Sequence, residues 1–600
     1  MPWKYVPGLK RLPGIAAANI LKIKENPVMQ KIMDMQIIRP ASRPPCWKET
    51  VAFLGVALST LAIPLFLYKW QALDNNSLTA WRWVFTDVPA WRIFAYLFPV
   101  IGLAYVLAGF SFYENRPFWL VIVSFAAAAV FWREPEAIMD AARYFTQAKH
   151  LELYGAGFFI EEWGKEIFAW TDLPLMPFLY GLIFKWFGEA RIFIQIFTTL
   201  LFSGTVLLTY LTGRLLWNKE VGFYAGLLLL GIPYLLTQVP LMLVDVPTMF
   251  FLMLAIFTFC KALDKGGAKM IVLASLALFL LFFVKFSAWL MLTVLPVVFF
   301  YYLRSGPRRI IGRTTAMALL ASLFIGTVSI IYYDLLLEQI ELLNAYQKPG
   351  LKRWTENFSS TFLFQMHPLI AMAAVCSLFT ACRKKDYSYP IISYLVLLLI
   401  VVMQVKRIRY ILPLFPLLTL MGSYGLMEIK NLRLKKFIIF CCVGSSLLLA
   451  ISVYLPFLQR LSAVNLQTAG LFLNSLEIDQ VEVFAIRTPT EQANPAVSVQ
   501  LLDLFTEKPL VYEDNIAPLE RLKHETSSMR FTWEQQNPAY YRMAPEISNQ
   551  RQAIAIISAS PGQPLPAALQ ARADGFRFSK EFTTSTNLFR YRTLVTVYYN

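Results

Sequence analysis

Between residues 51 and 456 one apolar run follows another, each long enough to cross a bilayer, and this feature decides most of what the chain can fold into. Inside hydrocarbon no water is at hand for backbone N–H and C=O groups. A spanning segment must therefore close its hydrogen bonds within itself, as a helix. Thirteen spans are expected, near 51–68, 92–110, 117–132, 191–216, 220–242, 246–263, 269–284, 286–303, 314–333, 364–382, 388–404, 410–427 and 436–456. The composition, 57% hydrophobic and 15% aromatic, lies well above the soluble average. The expected fold class is a multi-pass α-helical membrane protein with a small C-terminal α/β domain outside the membrane.

An odd number of spans puts the N-terminus inside and the C-terminus outside. Charge gives a separate test. The loops assigned to the cytoplasm include "RSGPRR" at 304–309, "RKK" at 383–385 and "KNLRLKK" at 430–436, all basic as the positive-inside rule requires. The segment 133–172 holds eight acids against four bases and falls outside. The net charge of +17 is read the same way, as basic cytoplasmic loops. No nucleic-acid module is visible, so no nucleic-acid partner is expected. Residues 1–50 are expected to be a cytoplasmic basic arm, with nine Lys/Arg and two acids in the first 48, lying against anionic lipid. With the first long apolar run starting near residue 51, no cleavable signal peptide is expected.

The expected domains are this arm, a transmembrane hairpin at 51–116, a transmembrane catalytic region at 117–456 and an extracytoplasmic α/β domain at 457–600. The long external loop 133–190 contains "DLPLMPFLYGLIFKWFG", apolar but short and opened by prolines, which reads as an interfacial helix. In the tail, "VEVFAI", "PLVYE" and "AIAIIS" read as strands, and the final "RYRTLVTVYYN" has a period-two strand pattern. No Gly-rich phosphate loop follows any of them. The six cysteines and three histidines form no metal-ligand spacing, so no metal site is predicted.

Carboxylates near membrane depth are functional candidates by default. Glu134 and Glu136 straddle Pro135 just past a span, and Asp245 lies between two apolar runs in "PLMLVDVPTMFF". Their bland alternatives are a solvated loop and a hairpin closure with Pro247 opening the next helix. Lys285, Lys406, Arg407 and Arg409 fall at external helix ends, against the positive-inside rule. Snorkelling to headgroups is one reading, and an anionic lipid phosphate is the other, because ammonium and guanidinium groups bind phosphate oxygens. A carboxylate base facing an acceptor and cations facing a departing phosphate make the set that a membrane enzyme with a lipid-phosphate substrate requires.

From residue 117 to 430 an ordered set of motifs resembles the GT-C glycosyltransferases of the protein-mannosyltransferase and aminoarabinose-transferase type. The acidic element of that family is similar to "EPEAIMDAARY", followed by "LPLMPFLYGLIFKWFG" at 173–188, "DVPTMFFLMLA" from Asp245, "KFSAWLMLTVLP" from Lys285 and "RYILPLFPLLTL" from Arg409. Pro135 stands where the family places the first acidic residue, so the carboxylates are offset here. The hairpin 51–110 and the tail lie outside the pattern.

The resemblance implies an inverting transfer of a sugar from a polyprenyl-phosphate donor to a lipid, glycan or protein acceptor. Glu136, with Glu134, would deprotonate or position the acceptor, and Asp245 would orient a substrate. Asp172 and Tyr144 of the external loop would stand on the acceptor side. Lys285, Arg407 and Arg409 would hold the donor phosphate. A divalent cation, magnesium or manganese, assists some relatives, though no spacing here demands one. The expected location is a bacterial inner membrane. A flippase of lipid-linked sugars, or a non-catalytic lipid-binding subunit, is the rival reading.

Overall fold

The computed structural model describes residues 47–75, 81–85, 88–110, 116–347, 358, 360–402, 408–487, 493–513, 529–535, 537–542, 551–584 and 592–600. Most of the expected basic arm lies outside these residues, as do Lys406 and Arg407.

Six helices among the described residues are long and apolar enough to cross a membrane: Trp47–Leu73, Ala90–Leu107, Arg191–Leu216, Asp245–Lys265, Pro307–Ile331 and Leu432–Leu458. Each coincides with an expected span. The other seven of the thirteen are shorter or broken. The run 220–242 divides into Lys219–Leu228, a 3-10 turn at Leu229–Gly231 and Pro233–Gln238. The run 410–427 divides into Ile408–Ile411, Leu412–Leu414 and Phe415–Leu426. Proline explains both breaks. Pro233, Pro413 and Pro416 each lack an N–H to donate along the helix, and Pro233 leaves the residue before it extended, Ile232 at φ −121° and ψ 92°.

The arrangement of the spans follows where they are buried. Arg191–Leu216 and Asp245–Lys265 are mostly enclosed, whereas Trp47–Leu73, Ala90–Leu107 and Pro307–Ile331 keep most of their surface outward. The hairpin Trp47–Trp70 and Ala90–Leu107 packs on Leu432–Leu449 through Phe53, Val56, Ala104, Ala108, Phe437 and Cys441.

Two helices outside the long spans position the site. Asp140–Glu162 is kinked at Gly155, and Leu175–Phe187 packs along it. The second buries Met176, Pro177, Tyr180, Gly181 and Phe184, a three-and-four spacing that makes one face. Its far end leaves Trp186 and Phe187 exposed. Gly181 is required by the crossing: a Cβ there would meet Leu151 Cβ at 2.6 Å and the Ala148 carbonyl at 2.8 Å.

Residues 463–599 build a five-stranded sheet with β1 Gln480–Ala485, β2 Leu510–Val511, β3 Gln552–Ser558, β4 Phe578–Phe582 and β5 Leu594–Tyr599. The order is β2-β1-β3-β5-β4. β1 runs parallel to β2 and β3, with Val481 opposite Leu510 and Phe484 opposite Ile556, whereas β5 is antiparallel to β3 and β4. Helices Ala463–Asn474 and Val497–Asp503 cover it, and the second also rests on Asp140–Glu162.

Candidate active site

Pro135 determines how the two glutamates are presented. It ends the turn Val130–Arg133 and holds Glu134 extended, at φ −71° and ψ 138°. In an extended run residues two apart share a face, so the Glu134 and Glu136 carboxyls turn inward together. Both residues are buried, at 0% and 2% exposure. Their surroundings differ. Glu136 Oε1 accepts from Arg191 Nε at 2.9 Å, and the Met242 backbone N–H donates to the same carboxylate at 3.2 Å. Neither Glu134 carboxyl oxygen has a hydrogen-bond partner. Burial pushes the Glu134 carboxyl well above the ordinary glutamate range, against the pull of Arg191 and with a further push from Glu136. Burial also raises Glu136, but Arg191 and the Met242 amide counter it.

Three residues beyond Met242, Asp245 opens its helix with 1% exposure. Three residues of chain span at most about 10 Å, which bounds the separation between the backbone held by Glu136 and that of Asp245. Lys285 Nζ donates to Asp245 Oδ1 at 2.6 Å, and Arg409 donates to Oδ2 from Nε at 3.1 Å and Nη2 at 2.9 Å. Arg409 Nη1 turns the other way, onto Asp140 Oδ2 at 2.8 Å. Asp140 lies 3.9 Å from Arg143 Nη1, and Arg143 forks onto Asp172, with Nη2 on Oδ1 at 3.0 Å. Tyr144 Oη and Gln147 Nε2 donate to the same Asp172 at 3.1 Å each. Lys285, Asp245, Arg409, Asp140, Arg143 and Asp172 thus form one chain of alternating charge. Side-chain exposure of 22% at Lys285, 16% at Arg409 and 23% at Asp140, against 6% at Asp172 and 1% at Asp245, leaves Lys285, Arg409 and Asp140 partly open and Asp245 and Asp172 enclosed.

The predicted residues accordingly fall into two neighbouring groups. Glu134 and Glu136 sit with Arg191, and Asp245, Lys285, Arg409, Asp172 and Tyr144 sit in the charge chain. Arg407 lies outside the described residues. Asp140, Arg143 and Arg191 were not singled out from sequence. Asp140 and Arg143 stand three apart at the start of a helix, a spacing that brings side chains together. Arg191 is a base at a helix end on the side expected to be external, the signal that pointed to Lys285. A divalent cation does not fit here. Both Asp245 oxygens and Asp140 Oδ2 are already taken by cationic side chains, and among the described residues no group of three His, Cys, Asp or Glu is placed to hold a metal.

The C-terminal residues pack against this region. Lys149 Nζ bridges Glu189 Oε1 at 3.0 Å and Asp503 Oδ2 at 2.6 Å, and Tyr541 Oη donates to Asp503 at 2.7 Å. Phe531 lies under the Arg143 guanidinium at 5.0 Å and Phe505 under that of Arg191 at 5.3 Å.

Residues 172–333 match the family described as dolichyl-phosphate-mannose-protein mannosyltransferase. No curated protein matches in sequence. Among solved structures the chain is similar to ArnT from Cupriavidus metallidurans bound to undecaprenyl phosphate, at 13% identity and a TM-score of 0.49, over 80% of this chain and 97% of that one. It is also similar to the oligosaccharyltransferase AglB from Archaeoglobus fulgidus in complex with an inhibitory peptide and a dolichol-phosphate, at 10% identity and a TM-score of 0.48, over 74% of this chain and 70% of that one. The chain is a multi-pass membrane protein. The matched residues 172–333 contain Asp172, Asp245 and Lys285, and the model they match is of the protein-mannosyltransferase type that the ordered motifs resemble.

Proposed function

We propose that the protein is a membrane glycosyltransferase that moves a sugar from a polyprenyl-phosphate donor to an acceptor on the extracytoplasmic face of a bacterial inner membrane. The observation that carries this reading is the pairing of two unlike subsites. One is a buried carboxyl pair in which Glu134 has no partner. The other is a partly exposed pair of cations, Lys285 and Arg409, fixed on Asp245. The match to a dolichyl-phosphate-mannose-protein mannosyltransferase over 172–333 supports a lipid-linked sugar donor.

Lys285 and Arg409 hold the donor phosphate through the N–H groups that Asp245 and Asp140 leave over, with Arg407 as a further candidate. Asp245 keeps both cations oriented before substrate arrives, which is what transition-state stabilisation by fixed charge requires. Glu134 takes the proton from the acceptor hydroxyl or amine as that atom attacks the anomeric carbon. The bond from the anomeric carbon to the phosphate oxygen breaks, and its electron pair leaves on the polyprenyl phosphate, with inversion. A carboxyl raised by burial suits this step, since a base works best with its pKa near the working pH. Glu136, held by Arg191 and Met242, positions Glu134. Asp172 and Tyr144 brace Arg143 on the acceptor side.

The test is transfer in lipid nanodiscs from a radiolabelled polyprenyl-phosphate sugar, with label followed into lipid, glycan and protein fractions. Transfer lost in Glu134→Gln and Asp245→Asn is the expected result. Lipid translocation without transfer to any acceptor would replace this reading with a flippase.

A further inference from the structure

Phe505 stands two residues past the helix Val497–Asp503 and is 8% exposed. Its ring centroid lies 5.3 Å from Arg191 Cζ, within the range of a cation–π contact. The tail holds the backbone of this segment at three points. Helix Ala463–Asn474 approaches so closely at Gly470 that a Cβ would meet Phe505 Cβ at 2.6 Å. Asn474 Nδ2 donates to the Phe505 carbonyl at 3.4 Å. Two residues upstream, Asp503 is anchored by Lys149 and Tyr541.

Beneath the ring, Arg191 has three uses for its donors and makes only two. Nε is on Glu136 Oε1 at 2.9 Å and Nη1 is on the Trp132 carbonyl at 3.4 Å, while Nη2 is buried with no partner. Both Glu134 oxygens are also buried without one. An unpaired guanidinium N–H and an unpaired carboxyl next to the same residue would ordinarily combine, since a charge-assisted bond is stronger than either group alone.

We propose that Phe505 is a positioning residue: its ring covers the Arg191 guanidinium, holds it on Glu136 and keeps Nη2 away from Glu134. The C-terminal tail then does more than cover the membrane region, because it determines which of the two carboxyls is free. The consequence for transfer rests on the reading of Glu134 as base, but the geometry does not.

The charged groups around Glu134 are Arg191 and Glu136, and those around the Phe505 segment are Lys149, Glu189 and Asp503. The experiment is a pH titration of the purified full chain in nanodiscs by infrared difference spectroscopy. The protonated-carboxyl band missing from Glu134→Gln identifies Glu134. In Phe505→Leu, Nη2 becomes free to reach the carboxylate and water enters, so the midpoint of that band falls by a pH unit or more. Phe505→Tyr keeps the ring face and keeps the wild-type midpoint. Phe505→Met, of similar volume and without a ring, gives the same reading as leucine if the leucine variant does not fold. An unchanged midpoint in a folded leucine or methionine variant overturns the proposal, as does an equal fall in the tyrosine variant. A shifted midpoint in a protein that transfers no sugar sustains it and sinks the transferase reading instead.

Discussion

Arg409 and Asp245 are 164 residues apart in sequence, and the guanidinium holds Asp245 Oδ2 through two nitrogens at 2.9 and 3.1 Å. The same guanidinium reaches Asp140 on a third segment of the chain. One side chain therefore ties together the segment 133–190, the start of the Asp245 helix and the proline-broken run after residue 408. Planarity makes this possible, because the five N–H groups of arginine point in fixed directions around a fork.

Arg409→Lys should not substitute. An ammonium can keep one carboxylate but not grip both in the same geometry. A charge-assisted hydrogen bond contributes about 1.5–3 kcal/mol, so kcat/KM for the lipid-phosphate donor is expected to fall by roughly 10-fold to 150-fold. Steady-state kinetics with the donor varied would check it, and a lysine variant with wild-type kcat/KM would remove Arg409 from the donor site.

The two glutamates should fail in different ways. Glu134→Gln removes a proton acceptor that has no structural partner. It should lower kcat by about 10²–10⁴-fold with little change in thermal stability. Glu136→Gln leaves Arg191 buried with its charge uncompensated, and breaking a buried pair costs about 3–5 kcal/mol. Its main effect should therefore be a lower melting temperature. Equal losses of activity with equal stabilities would show that the two carboxyls share one role.

Stability should also depend on pH through Glu134. The folded protein raises its proton affinity above that of the unfolded chain, so the folded state binds this proton more tightly. The contribution is fully present below the unfolded pKa and is lost as pH rises through the raised folded value. In the proposed transfer activity runs the opposite way, since a base works only when deprotonated, and should fall as pH drops through the same value. Melting curves across pH for wild type and Glu134→Gln are the measurement, with the variant expected to be flatter on the alkaline side.

Lys149→Met should loosen the C-terminal tail. It leaves the buried Asp503, 2% exposed, and Glu189 without their cation, again a loss of about 3–5 kcal/mol. Hydrogen exchange should rise together in 140–162 and 497–505, because Lys149 is an ion-pair link between them. Exchange that rises in neither segment would mean the tail is held by its apolar contacts alone.

Gly181→Ala should separate the two loop helices. The added methyl meets Leu151 Cβ at 2.6 Å and, at 2.8 Å, a backbone carbonyl that cannot swing aside. Overpacking of this kind costs about 1–3 kcal/mol, which a melting experiment in detergent resolves.

Local physics made much of the membrane region legible. Six of the expected spans are the six long apolar helices, because hydropathy over about 20 residues is a property of the segment itself. Pro135 could be read as the residue that offsets the carboxylates, since its effect is on its own neighbours. The strands of the tail lie where strand-like apolar runs mark them, apart from β4, whose "FSKEF" is mostly exposed and shows little apolar character. The breaks at proline within the runs 220–242 and 410–427 were not foreseen because hydropathy is continuous across them.

Sequence by itself determined which segments are apolar and which residues are costly to place near a membrane. That was enough to bring forward Glu134, Glu136, Asp245, Lys285 and Arg409. Only the tertiary structure decided how they are paired. Asp245 takes both cations, Arg409 recruits Asp140, and Arg191 chooses Glu136 over Glu134 under the cover of Phe505. These choices join residues 40 to 314 positions apart, such as Asp245 with Lys285 and Arg191 with Phe505. They depend on how helices cross and where the tail docks. Periodicity and hydropathy report on neighbours along the chain, so they contain no term for such pairings.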